Sequence, residues 1–185
     1  MCIMRKTNAC LGYFKGGTPM KLLDIQSLNM NPYVKISKEW MLVTAGDETK
    51  HNTMTASWGA MGVIWNKNTA TCYIRPQRYT FEFMEKGDTY SLCFFDESYR
   101  DALTLCGRTS GRDTDKDQAA GLTCAFYEGV PYYKEASLVL ICRKLYSQFL
   151  TRDGFVDPAV YEKNYPADDL HKMYIGEIVA AFENE

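Results

Sequence analysis

Apolar positions along this chain come in short runs broken by turn residues rather than in long helical stripes. Residues 40 to 46, "WMLVTAG", end at Gly46 before the polar "DETKHN", which predicts a strand entering a turn. A second strand is expected from Thr53 to Trp58, with Gly59 and Gly62 marking a break or bulge, and "TATCYI", residues 69 to 74, alternates until Arg75-Pro76 stops it. After that proline, "YTFEFMEKG" carries helix formers, so a short helix is predicted from about Thr80 with Gly87 as its C′ residue. "TYSLCFF", residues 89 to 95, reads as the next strand. "SYRDALTLCG" then sets Ser98 and Asp101 at capping-box spacing, with Ala102, Leu105 and Cys106 along one side of a helix.

The interval "GRTSGRDTDKDQAAG", residues 107 to 121, is the most polar and glycine-rich, and reads either as an exposed connection or as a loop covering a site. A strong apolar run lies within residues 135 to 150 and is followed by the turn "TRDG". Asp157 as N-cap and Pro158 at N1 open another short helix, and residues 170 to 181 form a terminal strand bent at Gly176. Many short strands with a few short helices predict a mainly β protein, a small barrel with additions rather than a βαβ alternation. With 185 residues and 46% hydrophobic composition, the chain supports one core. Residues 31 to 185 are assigned to it, and residues 1 to 30 are read as an N-terminal arm of uncertain order.

Charge alters this picture little. The 21 basic and 23 acidic side chains leave a net charge of -2, so no global field favours nucleic acid or an anionic membrane. No apolar run approaches the length needed to span a bilayer, and the N-terminus lacks an uninterrupted apolar signal region, so a cytoplasmic protein is expected. Seven scattered cysteines without a CxxC pair fit that reducing setting, with Cys72, Cys93 and Cys142 as small hydrophobes in apolar segments.

Two stretches carry candidate chemistry. In "HNTMTASWGAMG", the side chains of Asn52, Thr53, Thr55 and Ser57 can exchange hydrogen bonds with heteroatoms, while Met54, Ala56 and Trp58 offer an apolar side. An extended strand puts 53, 55 and 57 on one face and 54, 56 and 58 on the other. The same pattern is that of an ordinary half-buried strand with Trp58 in the core. In "IRPQRYTFEF", Arg75 and Arg78 flank Pro76, and Thr80 stands at the start of the predicted helix. Arginine's fork grips phosphate through paired charge-assisted hydrogen bonds, and a helix N-terminus adds free N–H groups. Two exposed arginines after a strand are the alternative. His171 follows Asp168 and Asp169, so a carboxylate could orient or charge it near neutral pH and make it a catalytic candidate as an acid, base or anion partner, or it could simply cap a strand. His51 and His171 are the only histidines and no cysteine lies at a short chelating interval from either, so no metal site is expected. The chain has no GxSxG, GxxxxGK[ST] or GxGxxG signature.

Taken in order, "LVTAG", "NTMTASWGAMG", "IRPQRYTFEF", "CGRTSGRDTDK", "EASLVLICRKLY" and "HKMYIGEI" resemble the flavoredoxin-like branch of the flavin reductase-like, FMN-binding split-barrel proteins over most of residues 40 to 180. That resemblance implies a split β-barrel, a homodimer and noncovalent FMN near the subunit interface. It implies that Asn52 to Trp58 line the isoalloxazine and ribityl portions, partly through backbone groups, and that Arg78 and Thr80 contact the phosphate with Tyr79 packed nearby and Arg75 as a further candidate. Ser110, Arg112 and Lys116 would complete the FMN or substrate side of the cleft, with His171 near the reacting region. The implied reaction is hydride transfer from NADH or NADPH to FMN, then electron release to an unidentified acceptor. The alternatives are an FMN-binding electron carrier without efficient NAD(P)H turnover and a noncatalytic interaction module retaining the fold.

Overall fold

The computed structural model describes residues 20–184. Ten strands follow in chain order: β1 (Met20–Leu22), β2 (Met41–Gly46), β3 (His51–Ala56), β4 (Gly59–Ile64), β5 (Lys67–Ile74), β6 (Thr89–Phe94), β7 (Cys124–Tyr127), β8 (Val130–Tyr133), β9 (Leu138–Phe149) and β10 (Lys172–Asn184). Short helices interrupt them: α1 (Pro32–Val34), which runs into a π turn at Lys35–Glu39, α2 (Tyr79–Lys86), α3 (Arg100–Arg108), α4 (Lys116–Ala120) and α5 (Pro158–Asn164). Eight strands form one antiparallel sheet in the order β3-β2-β6-β9-β10-β5-β4, with β1 added against β10, and β7 pairs with β8 as a separate hairpin.

The period of two in strand side chains explains why the central strands are buried on both faces. Met41, Val43 and Ala45 of β2 join Tyr90, Leu92 and Phe94 of β6, Leu140 and Cys142 of β9 and Tyr174 of β10 in an inner core. Their alternate neighbours Leu42, Cys93, Val139 and Ile141 pack outward against Leu103 and Cys106 of α3 and Tyr132 and Tyr133 of β8. One sheet therefore serves two apolar layers. Cys72, Cys93 and Cys142 are fully buried among these residues.

Several expectations shift. The second strand covers His51–Ala56 rather than 53 to 58. Gly59 and Gly62 lie within β4, whose hairpin with β5 turns at Trp65 and Asn66, both in left-handed backbone with φ 54 and 56°. The turn is unusual in placing Trp, rather than Gly or Asn, at its first left-handed position. Gly87 ends α2 through a bond from its N–H to Phe83 O (3.1 Å), but with φ −100° and not as a left-handed residue. Ser98 does not cap α3: residues Glu97–Tyr99 form a 3-10 turn that delays the helix to Arg100, and Leu103 with Cys106 forms its buried face. Asp157 and Pro158 do open α5, with Asp157 accepting from Ala159 N, and Gly176 sits at a register shift between β10 and β9. Residues 1–19 of the expected arm lie outside the described residues. Met20–Leu22 pair with Phe182–Asn184, and Leu23, Ile25, Leu28 and Met30 pack on the inner core.

Candidate functional site

The turn before β3 fixes where its polar side chains emerge. Asp47 accepts from Thr49 N (2.8 Å) and Lys50 N (3.0 Å), which closes the β2–β3 hairpin and sets the register Thr44↔Thr53. Buried Asn52 then donates from Nδ2 to Thr80 Oγ1 (2.7 Å) at the first turn of α2. Thr80 spends only an acceptor in that bond and keeps its hydroxyl proton to donate. Thr53 Oγ1 lies 2.9 Å from Thr44 Oγ1, and Thr55 Oγ1 donates to Leu103 O, tying α3 to the strand.

Beyond Thr55, a cleft of about 290 Å³ opens between β3, the start of α2 and the end of α3. Thr55, Ser57, Arg78, Thr104, Gly107 and Arg108 line it with Trp40 and Leu103, so it holds two cations and hydroxyls but no carboxylate. Arg78 is the N-cap residue of α2, in extended backbone with no side-chain cap bond. Its Nη2 is shielded and has no hydrogen-bond partner, and burial pushes its pKa down. A buried cationic donor with nothing to donate to is costly unless something anionic occupies the cleft. Ser57 also lines a second cavity of about 480 Å³, whose walls are mainly apolar: Ile36, Trp58, Gly59, Met61 and Tyr73 among them. Polar cleft and apolar cavity thus meet at one residue.

The 107 to 121 interval packs on β3. A Cβ at Gly111 would overlap Asn52 Oδ1, so the loop's close approach requires glycine there. Lys116 is buried and donates from Nζ to Thr53 O (2.7 Å) and Cys106 O (2.9 Å). Burial lowers its pKa to about 8, against an opposing effect of Cys106 and with a further lowering by Arg78.

The other expected residues separate. Met54 and Ala56 point into the inner core, so only their backbone can face a ligand. Tyr79 meets Phe83 edge-on, and its ring lies under the Arg112 guanidinium, which pairs with Glu82, while Ser110 accepts from Arg112 N (3.2 Å). Charge pairing at the surface holds this group outside the cleft. Arg75 is taken by Asp169 and by Asn164 O (3.0 Å) and lies over the Tyr165 ring. Trp58 is 43% exposed rather than in the core, with its ring 5.0 Å from that of His171. His171 Nδ1 lies 2.9 Å from Tyr165 OH. Asp169 does not charge His171: burial pushes the imidazole down to about 4 and Arg75 adds to this, because the carboxylate is spent on Arg75 and Gln77. Neutral His171 carries one ring proton, and its tautomer sets whether Nδ1 accepts from Tyr165 OH or donates to it.

Arg108, Thr104, Gly107 and Trp40 were missed from sequence. Thr104, Gly107 and Arg108 stand at i, i+3 and i+4, a spacing that would have placed them on one side of α3. Trp40 gives no such signal: it reaches the cleft from a left-handed backbone, φ 69°, with the Arg100 guanidinium 4.2 Å over its ring.

The family model for the flavin reductase like domain matches residues 34–185. No curated protein matches the chain. Among solved structures, a flavoredoxin from Methanosarcina acetivorans is 23% identical with a TM-score of 0.62, over 80% of this chain and 69% of that one. An FMN-binding domain of a flavin reductases-like enzyme from Shewanella baltica is 16% identical with a TM-score of 0.65, over 92% and 80%. A structure from Shewanella frigidimarina, described as having a split barrel domain, is 20% identical with a TM-score of 0.63, over 87% and 77%. These likenesses establish the split-barrel fold.

Proposed function

Because the chain belongs to the flavin reductase-like domain family, we propose that it is an FMN-dependent oxidoreductase passing reducing equivalents from NADH or NADPH to a flavin or another electron acceptor. The observation that carries this reading is the junction at Ser57 of a cationic cleft with an apolar, aromatic cavity. A ligand with an anionic end and a flat ring matches both halves, and the unpartnered Arg78 Nη2 is a donor awaiting such an anion. When bound, FMN supplies the redox chemistry, accepting a hydride and returning electrons to the acceptor.

The chain's own residues then bind, orient and exclude water. Arg78 and Arg108 offset phosphate charge, and Thr55 and Ser57 supply hydroxyls along the β3 wall. The absence of carboxylates from the cleft lining keeps like charge away from the phosphate. Trp58, beside His171, borders the apolar cavity and can shield a ring from solvent. His171 is uncharged at neutral pH, so it is not a cationic acid there. The homodimer is supported by exposed apolar surface on the β4 hairpin, Val63, Ile64 and Trp65, near Tyr146 on β9, whose ring lies 6.3 Å from that of Trp65. The five cysteines among the described residues that are free thiols suit a reducing compartment, and no helix among those residues is long and apolar enough to cross a membrane.

The test is anaerobic. Purified protein is titrated with FMN and with FAD, then the loaded protein is mixed with NADH or NADPH. Rapid bleaching of the long-wavelength flavin band is expected. Bleaching only by a reduced partner protein would make the molecule an electron carrier, and failure to take up flavin would reject the assignment.

A further inference from the structure

His51 lies 66 residues before Asp117, and Cys124 follows seven residues after it, yet their ligand atoms all lie within 4.8 Å of one another. Local geometry explains how. His51 opens β3 directly after the β2–β3 turn. Asp115 caps α4 by accepting from Gln118 N, which leaves Asp117 free to reach His51, and the two meet at 2.7 Å from Nε2 to Oδ2. Gly121, left-handed at φ 64°, then turns the chain back so that Leu122 N bonds Asp117 O (2.9 Å) and β7 begins with Cys124 close by.

The β7–β8 ladder supports the same arrangement. Cys124 is directly opposite Tyr133, so their side chains share a face, and Tyr133 OH donates to Asp117 Oδ1 at 2.6 Å. Phe126, two residues along on that face, meets the His51 ring edge-on at 5.9 Å. One carboxylate oxygen of Asp117 is thus oriented by a tyrosine while the other faces an imidazole beside a thiol. A carboxylate held by an outer hydrogen bond is the arrangement that metal ligands commonly show.

We propose that His51, Asp117 and Cys124 form a binding site for a single zinc-class divalent cation. The donor set is one imidazole nitrogen, one carboxylate oxygen and one sulfur, borderline-soft ligands that suit tetrahedral zinc with a fourth position left to water or an added ligand. Tetrahedral bonds of about 2.0–2.3 Å separate ligand atoms by roughly 3.3–3.6 Å. The observed set, from 2.7 Å between His51 and Asp117 to no more than 4.8 Å across the group, needs only small side-chain adjustments to close on an ion. Binding displaces the His51–Asp117 hydrogen bond, shifts the neutral imidazole's proton from Nε2 to Nδ1 so that Nε2 can ligate, and releases the Cys124 proton to solvent. The carboxylate and thiolate then carry two negative charges against the cation's two positive ones, so the half-buried site becomes neutral. The site ties β3, α4 and the β7–β8 hairpin together. Because Asp117 follows Lys116, occupancy would also fix the loop packed against the candidate flavin cleft.

The test uses cobalt(II) alone as the spectroscopic probe, with zinc as competitor, on the full-length chain without flavin. Expected are one equivalent of cobalt, a thiolate-to-cobalt charge-transfer band with tetrahedral visible bands, and displacement of both by zinc. Cys124→Ser should abolish the charge-transfer band, and His51→Ala should weaken binding at least about tenfold. Tyr133→Phe should weaken it less while retaining the band. A double Cys2→Ser/Cys10→Ser chain should bind as the parent does. Circular dichroism on each chain separates lost ligation from unfolding. No cobalt binding by the folded parent, or a charge-transfer band that survives in folded Cys124→Ser, overturns the site. Flavin titration of the same chains keeps this result distinct from the flavin reading.

Discussion

Arg78→Ala separates phosphate recognition from folding. In the unliganded protein the shielded Nη2 donates to nothing, so the substitution sacrifices no hydrogen bond from that atom and removes a desolvation cost of about 1–3 kcal/mol. That gain offsets the packing lost with the arginine stem, and the melting temperature should move by no more than a few degrees. With FMN bound, the same change removes a charge-assisted hydrogen bond of about 1.5–3 kcal/mol, or roughly a 10- to 150-fold weaker Kd. Riboflavin has the same ring and ribityl chain without the phosphate, so its affinity should barely change. Flavin fluorescence quenching, titrated in parallel with FMN and riboflavin against parent and variant, measures this contrast. Arg78→Lys should fall between, because a point charge replaces the fork. Equal weakening of both ligands, or unchanged FMN affinity in the folded variant, would refute the assignment of Arg78 to phosphate.

Acid stability should report on His171. Its pKa is lowered from 6.5 to about 4, so between those values the unfolded chain binds a proton that the folded chain refuses. Stability is therefore lost as pH falls through that window, by at most about 3 kcal/mol, and His171→Gln should flatten the acid limb of a plot of melting temperature against pH; an unchanged limb would contradict the burial. Gly111→Ala should cost about 1–3 kcal/mol in urea denaturation, because the added Cβ forces the loop from Asn52. If the proposed homodimer forms through the β4 hairpin, the parent should sediment as a dimer and Val63→Lys, a charge at a residue 73% exposed, as a monomer; a monomeric parent would refute the dimer and a persistent dimer in the variant would place the interface elsewhere.

What could be read from the sequence follows the range of the interactions involved. Short apolar runs ended by turn residues, "WMLVTAG" and "TYSLCFF", register locally as strands, and Asp157-Pro158 declares a helix start within two residues. Where neighbours in the chain compete, local signals mislead: Ser98 is a good cap, but the 3-10 turn at Glu97–Tyr99 takes its residues first. The same division holds in the site. Arg78, which lines the cleft, could be named because a helix start after a proline is a local pattern, whereas Thr80 from the same pattern is buried against Asn52. Arg75, three residues earlier, looked equivalent until Asp169, 94 residues away, claimed it.

Long-range pairing also decides which polar residues remain free for chemistry. His51 and Asp117 lie 66 residues apart, and nothing in either neighbourhood announces the other. The absence of a short Cys/His interval excluded only metal sites built within one turn or hairpin; it left open one assembled from a strand start, a helix N-terminus and a second hairpin. Lys116 shows the complementary case. Its position in the polar loop suggested a ligand contact, while the fold spends two of its donors on the carbonyls of Thr53 and Cys106. A cation with paired donors acts as a brace for the β3 wall, and a cation with an unpaired buried donor acts as a receptor. By that criterion, Arg78, which lines the cleft with an unpaired Nη2, rather than Lys116 is the cation left free to meet an anion.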